Sequence, residues 1–347
     1  MDRDQTQRPI AGSAPQRRAQ GLRAPKSSGL ALLIALSWAV CAPQASAAET
    51  LRLAVSATPL SLPIFVADKL NYFADEGLKL QLQEMVGGHR AMQALLDGQA
   101  DLATASETVL VFNSFKSRQF AVLGGFASSN KDSKLIVRAG AGIAQWQDMP
   151  GKRIGTVQAA ASHYWLDTSL LAAGLDPRAL KVQHAQPEHM AELLKRGDLD
   201  AVAAWEPYPF KILQTVPGSR VLPSSISYRL SFNLVAGQAL IGTRDEELAR
   251  LLRALERAER FIADKPAQAQ ALLRERLKLD QGFIDWVWPS YQYRLSLDQA
   301  LLASLEAQAR WAQREGHVTG ERPLNYLSLI YSKPLRQVAP AAVSLIE

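Results

Sequence analysis

Residues 51–105 read LRLAVSATPLSLPIFVADKLNYFADEGLKLQLQEMVGGHRAMQALLDGQADLATA, and short β-rich runs alternate in them with helical periodicity. The spacing predicts a strand over 51–56, a helix over 62–76 closed by Gly77, and a second strand over 78–85. Gly87-Gly88 then opens a helix running to Leu96, and 101–105 is a third strand. Strands separated by helices of this length are the pattern of βαβ units and of a mostly parallel sheet covered on both faces. A matching series runs through strands at 153–157, 180–184 and 200–205, with helices at 163–173 and 189–195. The two series share one detail. Leu95-Leu96-x-Gly98-x-x-Asp101 leads into a strand, and so does Leu193-Leu194-x-x-Gly197-x-x-Asp200. Each reads as a helix ending at glycine and a tight turn into a strand that begins with an acid. Loops from helix to strand favour Gly and Asp in any protein, so the repeat carries weight only beside the wider pattern: two α/β lobes of similar build.

The last third differs. Strands are expected to stop after 231–241, and Leu248, Leu251, Leu252, Leu255, Ala258 and Ile262 fall on one face at helical spacing. Glu246 with Arg250, and Glu256 with Arg260, are i,i+4 pairs on the other face. A second long helix over 297–314 sets Leu301, Leu305 and Ala309 on one side. Both helices read as scaffold packed back on the first lobe.

The chain has 347 residues, 48% of them hydrophobic, which allows about two domains at one per roughly 150 residues. Its formal charge of +6 would point to a polyanionic partner. Six of the 39 Lys and Arg and two of the 33 acids precede Ala48, however, which leaves 33 basic against 31 acidic residues and an excess of only +2. A nucleic-acid binder needs several cations on one face, so that class is excluded. The early cations are followed by an uncharged run from Gly29 to Ala42 and by Ala45-Ser46-Ala47-Ala48. That is the layout of a secretory signal peptide, with a run too short for a membrane span and an A-x-A cleavage site. Cleavage after Ala47 leaves 300 residues. The competing readings are an uncleaved anchor and a lipoprotein acylated at Cys41, although Trp38-Ala39-Val40 lacks the usual leucine; Arg17-Arg18 lies too far from the apolar run for a twin-arginine signal. Cys41 is the single cysteine, so a chain starting at Ala48 has neither disulfides nor thiol chemistry.

Motifs for catalysis are missing. There is no G-x-S-x-G, H-E-x-x-H or Walker A loop, and Gly140-Ala141-Gly142-Ile143-Ala144-Gln145 has Gln where a dinucleotide loop needs glycine. The histidines, at 89, 163, 184, 189 and 317, show no paired ligand spacing: His184 and His189 are five apart with Pro187 between them. No catalytic residue, metal or cofactor is therefore expected. What remains is polar loops at the carboxyl ends of strands, where open α/β sheets bind ligands. They are Thr58 to Ser61, Gly88-His89, Ser106-Glu107-Thr108 and Ala161-Ser162-His163. The last turns from strand to helix, and small residues at a helix start expose N–H groups to an anion. Ser162 there is either the N-cap or an anion donor. The stretch Asp198 to Tyr208 ends an apolar strand abruptly in Trp205-Glu206-Pro207-Tyr208. Trp205 is either a core residue or a cleft aromatic, and Glu206 either a helix-start charge or a ligand carboxylate.

Taken in order, Leu51-Arg52-Leu53-Ala54-Val55, Pro63 to Ala67 with Phe73-x-x-Glu76-Gly77-Leu78, Leu95-x-x-Gly98-x-x-Asp101, Gly151-Lys152-Arg153-Ile154-Gly155 and Asp200-Ala201 to Tyr208 resemble the nitrate/sulfonate/taurine group of periplasmic substrate-binding proteins of ABC importers. The resemblance covers nearly all of the chain after residue 47. It implies a two-lobed periplasmic binding protein type II fold, each lobe a mostly parallel sheet flanked by helices, with a helical tail on the first lobe. On this reading residues 1–47 are the signal peptide, 48–136 with 234–347 form lobe 1 and 137–233 form lobe 2, with crossings near 135–138 and 231–235. The cleft would be lined by Thr58, Ser61, Gly88, His89, Ser106, Glu107, Thr108, Ala161, Ser162, His163, Trp205 and Glu206. Ser162 and helix-start N–H groups would hold an acid group, Ser106 and Thr58 would add hydrogen bonds, and Trp205 would cover ligand carbon. Glu206 or Glu107 would meet an ammonium if the solute is zwitterionic. The chain departs from the family in the alanine-rich loop from Gln158 and in Gln147-Asp148-Met149-Pro150 before Gly151. The implied function is capture of a small organic anion, sulfonate-like or a related acid, by an exported, monomeric binding protein that delivers it to an ABC permease. The alternatives are an enzyme on the same fold, such as a pyrimidine-precursor synthase or a lyase, for which only His163 and Glu206 offer a general base, and a partner that presents ligand to a membrane sensor.

Overall fold

The computed structural model describes residues 50–320 and 325–346; the leader read in residues 1–47, with its cleavage site and Cys41, lies outside them. In chain order the first elements are β1 (Leu51–Ser56), α1 (Leu62–Lys69), α2 (Tyr72–Asp75), β2 (Leu80–Met85), α3 (Gly88–Leu96), β3 (Leu102–Ser106), α4 (Glu107–Ser114) and β4 (Phe120–Ser129). There follow β5 (Ser133–Val137), β6 (Arg153–Thr156), α5 (Ala161–Ala172), β7 (Lys181–His184), α6 (Met190–Arg196), β8 (Ala201–Trp205), α7 (Tyr208–Thr215) and β9 (Arg220–Leu222). The remainder is β10 (Leu230–Gly237), α8 (Asp245–Asp264), α9 (Pro266–Leu277), α10 (Gln281–Val287), β11 (Tyr291–Ser296), α11 (Gln299–Arg314) and α12 (Lys333–Val338). No helix of the described residues is long and apolar enough to cross a membrane.

Two sheets organise the two lobes. The first has the order β11-β4-β10-β3-β1-β2 and the second β7-β6-β8-β5-β9. Each contains a parallel trio: β1 pairs with β2 and β3, and β6 pairs with β7 and β8. The other pairings are antiparallel, β10 with β3 and β4, β11 with β4, and β5 with β8 and β9. The parallel character expected of the sheets thus belongs to the βαβ trios, and the strands next to the crossings add antiparallel pairs. The central strands β3 and β8 are buried at every residue and are built from small and apolar side chains with Thr104 and Ser106, as suits strands covered on both faces.

The chain leaves the first sheet between Ser129 and Ser133 and returns between Leu222 and Leu230. Both crossings fall a few residues before the expected 135–138 and 231–235, which overlap the end of β5 and lie inside β10. The physical cause is visible at Asn130-Lys131-Asp132, a polar break between β4 and β5 that apolar periodicity alone passes over. The strands also do not stop after 231–241: β11 adds to the edge of β4 at Tyr291, Gln292 and Tyr293. The helix expected over 62–76 is two helices, because Asn71 adopts φ 59° and breaks it.

Elsewhere the packing follows the periodicity. Leu248, Leu251, Leu252, Leu255, Ala258 and Ile262 of α8 are all buried in the first lobe's core, as are Leu301, Leu305 and Ala309 of α11. At α3 the approach to the sheet demands glycine: a Cβ on Gly88 would lie 3.0 Å from Ala105 Cα and 3.1 Å from the Thr104 carbonyl oxygen. The acid shared by the two sequence repeats has one job in both lobes. Asp101 accepts from Arg52 N at 2.8 Å, Nε at 3.1 Å and Nη2 at 2.7 Å. Asp200 accepts from the corresponding atoms of Arg153 at 3.0, 3.1 and 2.9 Å. Each bidentate pair staples the entrance of one strand to that of its neighbour.

Candidate functional site

The carboxyl ends of the parallel strands in the two lobes face a common cavity of about 30 Å³. Ser56 ends β1, Ser106 ends β3 and Trp205 ends β8, and all three line it, together with Thr58, Gly88, His89, Asp132, Ala160, Ala161, Leu230 and Phe232. Three helices of eight residues or more begin at its wall: α3 after Gly87, α4 after Ser106 and α5 after Ala160. None of these N-caps makes a side-chain capping hydrogen bond, and the extended Thr58 that opens the turn at Pro59 makes none either. First-turn N–H groups and the positive ends of three helix dipoles are therefore free of side-chain caps around one small space.

The side chains there are short of partners too. Ser56 Oγ, Thr58 Oγ1, both ring nitrogens of His89 and Asp132 Oδ2 are buried with no hydrogen-bond partner in the protein. Each such group costs about 1–3 kcal/mol if left that way, so four of them on one cavity describe a polar surface shaped for something other than the chain itself. No Lys or Arg lines the cavity. Burial, with the charge of Arg90 next in weight, pushes His89 down to about 4 and keeps it neutral near pH 7. Burial pushes Asp132 up to about 7, against the lowering effects of Tyr291, which donates to its Oδ1, and of Lys134. The apolar side is formed by Leu230, Phe232 and Trp205, the last meeting His89 edge-on at 6.0 Å between ring centroids.

Of the twelve residues expected at the cleft, Thr58, Gly88, His89, Ser106, Ala161 and Trp205 line this cavity. The other six are engaged elsewhere. Ser61 donates to the Ser56 carbonyl at 2.7 Å. Thr108 donates to Gln308 at 2.6 Å, and the Ser162 hydroxyl shares a 3.1 Å hydrogen bond with Thr156; the helix start it was expected to serve offers the Ala160 and Ala161 backbone instead. Glu107 accepts from Tyr228 OH at 2.6 Å, Ser231 N at 2.9 Å and Gln308 Nε2 at 3.3 Å. Glu206 is fully buried and meets Lys134 Nζ at 2.7 Å, Trp286 Nε1 at 2.6 Å and Phe210 N at 3.2 Å. Neither carboxylate is placed to meet a ligand ammonium. His163 belongs to a separate cluster with Asp167, His317 and Trp311.

Sequence reasoning passed over Ser56, Asp132, Leu230 and Phe232. Ser56 obeys the rule of strand ends that picked out Ser106. Asp132 and Leu230 sit at the two crossings, and setting those crossings a few residues late removed them from view.

Residues 58–269 match the family model described as NMT1/THI5 like. The chain belongs to the NMT1/THI5-like family. Its relatives include the provisionally named aliphatic sulfonates-binding protein of Bacillus subtilis (strain 168), 22% identical over 231 residues that cover 64% of this chain and 69% of the relative. The taurine-binding periplasmic protein of Escherichia coli (strain K12) is 25% identical over 161 residues, 46% of this chain and 50% of its own. Among solved structures, the alkanesulfonate-binding protein SsuA from Xanthomonas axonopodis pv. citri bound to MOPS superposes with a TM-score of 0.71 at 17% identity, over 82% of this chain and 98% of that one. This NMT1/THI5-like chain accordingly has the two-lobed periplasmic binding protein fold.

Proposed function

We propose that this protein is an exported solute-binding protein that holds a small organic anion, an aliphatic sulfonate or related acid, between its lobes and hands it to an ABC permease. The observation that carries the reading is the convergence of three uncapped helix starts on one cavity where the Ser56 and Thr58 hydroxyls, the His89 imidazole and one oxygen of Asp132 lack hydrogen-bond partners in the protein. The acid group would accept from backbone N–H groups at Gly88 and Ala161 and from Ser56, Thr58 and Ser106. Trp205, Leu230 and Phe232 would cover the carbon portion. The small volume favours a compact solute. Residues 50–129 with 230–346 would act as one lobe and 133–222 as the other, closing by rotation about the two crossings.

A binding rather than catalytic role is supported by the cavity's chemistry. No nucleophile there lies beside a base, its one histidine is held neutral and without a partner, and the chain's single cysteine is Cys41. The test is a thermal-shift titration with alkanesulfonates, taurine, short carboxylates and nitrate, against choline as a cation control. A solute at 100 times its Kd adds about 2.7 kcal/mol of stability, and Thr58→Val is expected to lose about half of that gain. If every anion leaves the melting temperature unchanged, the proposal fails.

A further inference from the structure

A second polar cluster lies outside that cavity. His163 and Asp167 stand one turn apart on α5, and His317 follows α11; the fold brings them together so that one ligating atom from each lies within 4.8 Å of the others. His317 Nε2 is 3.0 Å from Asp167 Oδ2, and His163 Nε2 is 4.0 Å from Asp167 Oδ1. The two imidazoles are 4.4 Å apart between centroids. A tetrahedral ion bound at about 2.0–2.1 Å from each donor needs the donors about 3.3 Å from one another, which falls between the two distances observed. His163 and Asp167 are buried and His317 is half-buried.

The surroundings suit such an ion. Trp311 Nε1 donates to Asp167 Oδ2 at 3.2 Å and fixes the carboxylate, the kind of outer partner that orients metal ligands. Phe112 and Trp311 pack against His317 at 6.5 and 4.9 Å. Binding through Nε2 moves the His163 proton to Nδ1 and gives up a long 3.4 Å contact from Ala159 N–H. A cavity of about 460 Å³ opens beside both histidines, with Gln158 and Lys116 on its wall, and leaves room for water or an anion at a fourth position.

We propose that His163, Asp167 and His317 form a site for Zn²⁺ or another first-row divalent ion, with two imidazoles, one carboxylate and an exchangeable fourth position facing that cavity. Two imidazoles with a carboxylate are a donor set that transition ions take in preference to Mg²⁺ or Ca²⁺. Spacing along the sequence pointed away from metal because the three ligands come from two elements 150 residues apart, and only the His163-x-x-x-Asp167 pair is local. None of the three residues lines the central cavity, but the site joins the two lobes, with His163 and Asp167 on α5 and His317 after α11.

The test uses the untagged protein, treated with EDTA and dialysed, with no solute added. Zn²⁺ alone is titrated by calorimetry, and Co²⁺ is followed by its visible absorption. One equivalent is expected to bind, and His317→Gln is expected to weaken binding at least tenfold and abolish the cobalt spectrum. Asp167→Asn should do the same, while His189→Gln, at an exposed histidine outside the cluster, should not. Because His317 is half-exposed, its variant keeps the test decisive if the Asp167 variant fails to fold. Absence of Zn²⁺ binding to the wild type, or equal binding by His317→Gln, overturns the proposal.

Discussion

Trp286 on α10 donates a 2.6 Å hydrogen bond from its indole to Glu206, the residue that follows β8 of the other lobe. Lys134 meets the same carboxylate oxygen at 2.7 Å and lies 5.3 Å over the Trp286 ring. This tie exists only while the lobes face each other. Trp286→Phe removes the donor and keeps a ring for Lys134. A hydrogen bond to a charged group contributes about 1.5–3 kcal/mol, and Trp286 is partly exposed, so the lower end applies. Calorimetry of the variant is expected to show a solute Kd raised about tenfold; an unchanged Kd would separate this bond from lobe closure.

Asp132 gives the site a pH dependence. Its folded pKa of about 7 lies above its ordinary value of about 4. The stability it contributes is therefore fully present below about pH 4 and is lost as pH rises through 7. Glu107, which burial also pushes up to about 7, works in the same direction. Asp132→Asn should be more stable than the wild type at pH 8, by on the order of 4 kcal/mol, with the two converging near pH 4. Asp132 lines the cavity and its Oδ2 has no protein partner, so the protonated acid is expected to donate to a bound anion and the ionised one to repel it. Wild-type affinity for a sulfonate is expected to fall between pH 6.5 and 8.5, and that of the Asn variant to stay level.

Unpartnered hydroxyls separate binding from folding. Thr58→Val and Ser56→Ala remove buried groups that bond to nothing in the protein. Urea unfolding should find each variant as stable as the wild type or more so, because no internal hydrogen bond is lost. Solute affinity should fall about tenfold for each, at about 1.4 kcal/mol per lost contact. A fall in stability with affinity intact would assign these hydroxyls to the fold.

The staples at the strand entrances predict the opposite division. Asp200→Asn is expected to lower unfolding free energy by about 1–2 kcal/mol, allowing for the exposure of Arg153, and to leave solute affinity alone. The hydrogen bonds from Arg153 hold the Asp200 carboxyl well below the usual carboxylate range. Its contribution is thus present above about pH 4 and is lost as pH falls further. The acid limb of a stability–pH profile should be shallower in the variant. Asp101→Asn should behave alike, its carboxyl being lowered by Arg52.

The strand ends were legible because short runs dominated by small and apolar residues stop abruptly at Ser56, Ser106 and Trp205, and the helix starts because small residues follow. Hydrogen-bond allegiance was not. Ser61, Thr108, Ser162, Glu107 and Glu206 have the right chemistry for a ligand, but the Ser56 carbonyl, Gln308, Thr156, Tyr228 and Trp286 claim them. Tyr228, Trp286 and Gln308 reach these sites from segments 80 to 201 residues away. Asp132 and β11 escaped for a related reason. One sits in a three-residue polar break, the other between helices, and neither has a period long enough to read.

The donors that converge on the central cavity are backbone dipoles and neutral hydroxyls, with no formal cation among its lining residues. Dipole fields fade over distance faster than the field of a charge, so they grip an anion at contact and exert little pull from afar. Diffusional encounter should accordingly proceed without electrostatic steering and should respond little to ionic strength. Such a receptor would keep one capture rate in dilute and in saline surroundings, with its selectivity residing in how slowly the right anion leaves.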